Sequence, residues 1–253
     1  MIVGTITLIT ILFLGGAPDY FLVDKLNKGV KEYVVEKERK DELLAELKLA
    51  KKDLKGIKKE SRQFVKVLNE RLLDRSASDD EILAMGDSIM QNIIEMQDLL
   101  IQTRIRMIHK IEDEEWEQII SLSEEEVRKG KQKSKKMAEE GKIKDPFIKL
   151  ESTINNTVSD TEIKENILDA MNVYKVQLNE LSEMLKQKNV VDQPVLGNKT
   201  STADELWSTA KEVNAIRART MGYTMDFRSD IKENTSEKEW NKIMKEFIKL
   251  WNW

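Results

Sequence analysis

The 253-residue chain has no cysteine, one histidine, three prolines and ten glycines. Without thiols there can be no disulfide, no thiolate chemistry and no lipid attached through cysteine, and either side of a membrane stays open to it. His109, the single histidine, rules out a multi-histidine metal site; at the end of a charged helix it reads as a surface residue. So few helix breakers, with no sustained period-2 alternation, argue for long helices and against a sheet with many turns. The glycine-rich phosphate loop and the nucleophile elbow are both missing. Arg106 stands three residues before His109, so the Glu-x-x-His pair of di-iron bundles is missing too. Net charge is −4 with the two signs interleaved, which gives no domain-wide basic excess for nucleic acid. These absences leave no cofactor, metal or catalytic set to name, and the expectation is a protein that works by binding rather than as an enzyme.

The one long uncharged run is at the N-terminus. Met1 to Pro18 carries no charged side chain, and Ile2 to Leu14 is strongly apolar. Eighteen helical residues span about 27 Å, near the ~30 Å hydrocarbon core. A cleaved signal peptide would have a basic leader, missing here, and Pro18 follows the small-residue site badly. Residues 1–23 are therefore read as a single membrane anchor in preference to a signal peptide or a buried helix. Lys25, Lys28 and Lys31 follow the run, and the positive-inside rule puts the rest of the chain in the cytoplasm.

Beyond the anchor, charged residues make up 35% of the chain, and most alternate in sign at helical spacing, the pattern of solvated helix faces. Apolar positions at Leu43, Leu47, Ala50, Leu54, Ile57, Ser61, Phe64 and Leu68 step by alternating fours and threes, a heptad seam. It predicts one long coiled-coil-like helix from about Asp24 to Asp74, packed on another helix of this chain or on a second copy in a homo-oligomer. Ser78 with Glu81, Ser159 with Glu162, Thr202 with Glu205 and Ser236 with Glu239 read as capping boxes that open further helices. An acidic start at Glu112 opens another, which runs into the basic stretch Lys129 to Lys136. Asp145-Pro146 marks a boundary between a first unit, residues 24–144, and a second, residues 145–253. Asn189 to Ser201, with Pro194 and Gly197, reads as the longest loop.

A shift of 124 residues lays Ser78–Ile120 on Thr202–Met244 without a gap, and six of 43 positions are identical. Arg104 meets Arg228 and Glu115-Trp116 meets Glu239-Trp240, which points to two diverged helical repeats. In the second copy Arg217, Thr220 and Thr224 replace Ile93, Met96 and Leu100, so that copy holds either a buried polar network or an exposed polar face. Trp116 and Trp240 each follow a helix start by four residues, where a side chain folds back and pins the corner between helices. Trp251, Trp253, Phe247 and Arg217 are the candidates for contacting a partner, the terminal tryptophans with a protein or the membrane interface.

The stretch Arg104-Ile-Arg-Met-Ile-His-Lys-Ile-Glu-Asp-Glu-Glu-Trp116 resembles a turning point in the Spy and CpxP group of helical stress proteins, where a long basic helix ends before a Leu-Thr-Pro-x-Gln type motif. Here Ile111-Glu112-Asp113-Glu114-Glu115 takes the motif's place. The resemblance implies an all-helical extracytoplasmic protein that shields or senses unfolded clients or metals, on the opposite side of the membrane from the charge rule. The expected fold is all-α: a membrane helix, a long coiled-coil-like helix and an antiparallel helical bundle. The expected function is a membrane-anchored scaffold- or chaperone-like interaction protein; its rival is a cytoplasmic-facing coiled-coil subunit of a membrane complex.

Overall fold

The computed structural model describes residues 23–140, 145 and 147–250. Among these residues it is all-helical, with eight helices: α1 (Val23–Tyr33), α2 (Lys37–Leu73), α3 (Asp79–Ile108), α4 (Asp113–Glu139), α5 (Phe147–Thr157), α6 (Thr161–Gly197), α7 (Ala203–Asn234) and α8 (Glu237–Lys249). The expected anchor lies outside the described residues apart from Val23. Among the described residues no helix is long and apolar enough to cross a membrane.

Helix starts follow side-chain chemistry. Ser78, Thr202 and Ser236 each accept the N–H three residues on, and Glu205 and Glu239 close full capping boxes. At α6 the cap is Asp160 rather than Ser159, with Asp160 accepting from Ile163 N–H. Two other expectations need correction. The long first helix is broken at residues 34–36, where Val35 N–H donates to Glu115 Oε1 at 3.4 Å instead of continuing the helical ladder. The segment read as the longest loop is helical to Gly197. Pro194 lacks one N–H so near the helix end, and Asn198 N–H donates to its carbonyl at 3.0 Å, holding the last turn together.

Helix bounds correspond under the same shift of 124. α1 maps onto α5 and α2 onto α6 at both ends, the members of each pair being 11 and 37 residues long. α3 and α7 begin in register, as do α4 and α8. Burial follows: Leu26, Val30, Val34, Leu43 and Leu47 are buried, and so are Leu150, Ile154, Val158, Ile167 and Met171 at the shifted positions.

Within each half the long helix packs on the next (α2 on α3, α6 on α7), while the short first helix packs on the long one and on the fourth (α1 on α2 and α4, α5 on α6 and α8). Across the halves α3 packs on α7, and α8 on the end of α2. One core joins the halves, running from Ile57, Leu68 and Leu72 to Phe147, Leu178 and Trp240. Its centre is aromatic: Tyr174 stacks on Phe227 at 5.4 Å, and Phe247 meets both edge-on at 5.6 and 5.1 Å. A second cluster fills the first half, from Leu26 to Ile119. The heptad seam is covered by helices of the same chain: Leu43, Leu47, Ala50, Ile57 and Leu68 are buried, and only Phe64 stands out, 40% exposed.

Candidate functional site

The two halves hold each other at a pair of matching corners. Trp240 Nε1–H donates to the Leu73 carbonyl at 2.8 Å, and Trp116 Nε1–H donates to the Gly197 carbonyl at 2.7 Å. These are the same bond shifted by 124. Arg228 lies over the Trp240 ring and Arg104 over the Trp116 ring, each guanidinium carbon 5.3 Å from the ring centroid. Arg228 donates to the Asp74 carbonyl and Arg104 to the Asn198 carbonyl. In the held turns Asp74 and Asn198 accept from the N–H and hydroxyl of Ser76 and Thr200. Arg75 pairs with Glu237, and Lys199 with Asp113. The motifs behind this are Asp74-Arg-Ser-Ala-Ser78 and Asn198-Lys-Thr-Ser-Thr202, just before the stretch in which the repeat is legible. Both tryptophans are buried, as corner pins should be.

Glu115 builds the corner in the first half. It accepts from the N–H groups of Val35 and Glu112 and from Arg39 at 2.7 and 2.9 Å. Burial pushes its carboxyl up, but those donors pull it down further, and the net position is below its ordinary 4.5. Glu239 has the matching place, bonded to the N–H and hydroxyl of Ser236. Serine supplies there part of what Arg39 supplies to Glu115.

The polar second copy is a buried network. Between α3 and α7, Gln97 and Asn214 exchange amide hydrogen bonds at 3.0 and 2.7 Å, and Arg217 donates to Asn214 at 3.0 Å. Arg217 is 4% exposed, and burial lowers its pKa to about 10. Arg217 therefore binds inside the chain, and Phe247 is fully buried in the aromatic core. Both side chains thus lie inside the chain rather than on its surface. Their positions in broad apolar faces were the signal: such a face is core before it is surface. Trp251 and Trp253 lie outside the described residues.

The surface feature missed in the sequence is a flank of α2. At about 100° per residue, Lys48, Lys51, Lys52, Lys55, Lys58, Lys59, Arg62 and Lys66 fall within an arc of about 120° that runs about 27 Å along the helix. All eight are exposed. The two carboxylates between residues 48 and 66, Asp53 and Glu60, lie about 150° from the arc's centre. The side of α2 facing α3 uses its charges internally, with Glu46 on Arg106, Glu42 on Lys110 and Arg71 on Glu81. Two turns beyond Lys66, on the same flank, Leu73 lines a cleft of about 410 Å3 with Thr153, Lys242, Lys245, Glu246, Ile248 and Lys249. Among the described residues no three His, Asp or Glu side chains are grouped to hold a metal ion.

No family model matches the chain, and no curated protein or solved structure matches it either.

Proposed function

We propose that the chain is a membrane-anchored helical interaction protein, scaffold- or chaperone-like and without a catalytic role, built from two copies of one four-helix unit. The observation that carries this reading is the contrast between frame and surface. Helix bounds, corner bonds and core positions correspond across the halves, whereas their outer faces differ. The second half presents Val173, Val176 and Met184, which are 57%, 55% and 38% exposed. At the matching positions the first half keeps an exposed apolar residue only at Leu49 and has Lys52 and Glu60 at the other two. A kept frame with altered faces is what binding surfaces with separate tasks require, since function resides in sites carried by a fold.

The apolar run Met1–Leu14 supports the anchor, and the resemblance to the Spy and CpxP group supports an extracytoplasmic position. A second reading, a cytoplasmic-facing subunit of a membrane complex, draws on Lys25, Lys28 and Lys31 directly after the run. Fractionation tests the anchor: the full chain is expected in the membrane fraction, and the chain lacking residues 1–22 in the soluble one. A full chain that is soluble after gentle lysis refutes it. A reporter fused to the C-terminus decides between the two orientations.

A further inference from the structure

We propose that the lysine flank of α2, with the cleft at its end, is a docking surface for anionic phospholipid headgroups of the membrane that holds the N-terminus. The inference rests on the anchor reading above.

The chain contains its own control. α6 is the shifted counterpart of α2, of equal length, and Leu43, Leu47, Ala50, Ile57 and Leu72 share their burial with Ile167, Met171, Tyr174, Leu181 and Leu196. Where the flank has Lys48, Lys52, Lys55, Lys58, Lys59 and Lys66, α6 has Asn172, Val176, Asn179, Ser182, Glu183 and Val190, and it keeps a cation only at Lys175 and Lys186, opposite Lys51 and Arg62. The second copy of the frame is therefore built without six of the eight cations. Charge segregation on α2 adds to this: a merely solvated helix mixes signs around its exposed side, as i,i+4 pairing favours.

The chemistry selects the partner. Seven of the eight flank cations are lysine, a compact point charge suited to a diffuse array of phosphates rather than to bidentate recognition of one. The row runs about 27 Å along one side of a helix, a reach that suits an extended surface. The molecule as a whole carries −4, so a long polyanion such as nucleic acid meets net repulsion outside the flank. Past Lys66 come Lys242, Lys245 and Lys249, with Glu70 paired to Lys66 and Glu246 to Lys249, and in sequence Trp251 and Trp253 follow directly, the residue type enriched at membrane–water interfaces.

The lack of cysteine makes a direct test available in the full chain. Lys52→Cys and Val176→Cys place one fluorophore at each of two equivalent exposed positions. Each labelled protein is reconstituted into vesicles of phosphatidylcholine alone or mixed with phosphatidylglycerol, with a quencher on the lipid headgroups. Quenching is expected at position 52 and not at 176, in the mixed vesicles only, and lost at high salt. Adding K48Q, K55Q and K59Q is expected to bring quenching at 52 down to its level in neutral vesicles, since each lysine near the surface counts for about fivefold in binding. The same charge change made elsewhere, K149Q with K186Q and K211Q, should leave it unchanged. An unaltered unfolding midpoint shows that the triple variant is folded, and the salt arm needs no variant. Quenching at 52 that ignores anionic lipid, or equal quenching at both positions, overturns the proposal. So does a probe at 52 that responds to a DNA duplex or an acidic protein and not to vesicles. Flotation with neutral vesicles reads the anchor separately: its failure sinks the anchor reading, whereas the flank is judged by the anionic increment.

Discussion

Replacing Arg228 with methionine tests the corner in which one half holds the other. The side chain is fully buried. It donates to Asp79 Oδ1 at 3.0 Å, to the Asp74 carbonyl at 2.8 Å and to the Ala77 carbonyl at 3.2 Å. Methionine keeps most of the volume and the contact with the Trp240 ring, so the change is chiefly electrostatic. It strands the Ala77 carbonyl, leaves the Asp74 carbonyl with the Ala77 N–H alone, and removes a cation–π contact. Charge-assisted hydrogen bonds are worth about 1.5–3 kcal/mol each, but they are not additive, and removing one partner of a buried charged set costs about 3–5 kcal/mol. About 4 kcal/mol is expected, which for a chain of this size lowers Tm by about 8–16 °C. Urea unfolding followed by far-UV circular dichroism measures it. Arg104→Met probes the matching corner and is expected to cost a similar amount, the two adding within about 0.5 kcal/mol because they touch different turns. A cost below about 1 kcal/mol for Arg228→Met would refute the argument that this arginine carries the turn.

Two glycines should answer differently to alanine. A Cβ on Gly29 would meet Ile119 Cγ1 at 2.9 Å and Cβ at 3.2 Å, atoms of a branched, fully buried side chain that cannot swing away; a loss of about 1–3 kcal/mol is expected. On Gly86 it would meet Met221 Cε at 2.8 Å, the far end of a flexible chain, and the shifted position already holds Ala210. Gly86→Ala is therefore expected within about 0.5 kcal/mol of the parent or above it, since alanine favours helix by up to ~1 kcal/mol. Thermal melts of the two variants check this, and equal losses would contradict it. The Glu115 carboxyl is held below its ordinary 4.5, so its contribution is complete above that value and is lost as pH falls through the lower folded value. Glu115→Gln should cost about 2 kcal/mol at neutral pH, with the gap to wild type closing on acidification; a gap that widens in acid would show the sign to be wrong.

Sequence spacing made the seam from Leu43 to Leu68 legible, because its period of alternating threes and fours needs only a neighbour to face. Ser78, Thr202 and Ser236 were legible as helix starts for the same reason: a cap is a local bond. What remained hidden was set from far away. Nothing near Val35 signals a break; Glu115, 80 residues on, takes its N–H. Pro194 looked like a loop because a proline's cost is local, whereas the bonds that keep the helix end in place come from Trp116 and Arg104. The repeat was readable from residue 78 onward through Arg104 and Trp116. It was masked in the earlier helices, where different side chains occupy the same buried positions, Ala50 against Tyr174 for instance. The lysine flank was visible only as composition: seven lysines scattered over 19 residues become a surface once helical phase aligns them, and a distinctive one once α6 stands beside them.

The reciprocal corners also fix an order of events at the ribosome. Leu73 ends a helix early in the chain, yet its carbonyl waits for Trp240, 167 residues later. At about 5–20 residues per second that interval is on the order of ten seconds or more. Throughout it the first turn, Asp74 to Ser78, has been made and its holder has not. The first four helices thus leave the exit tunnel as an unfinished body, with Leu72 and Ile57 awaiting neighbours from the second half. Emergence of α8 should supply that holder, so a nascent chain stalled with α8 unmade or still in the tunnel is expected to be far more sensitive to protease than one with α8 outside.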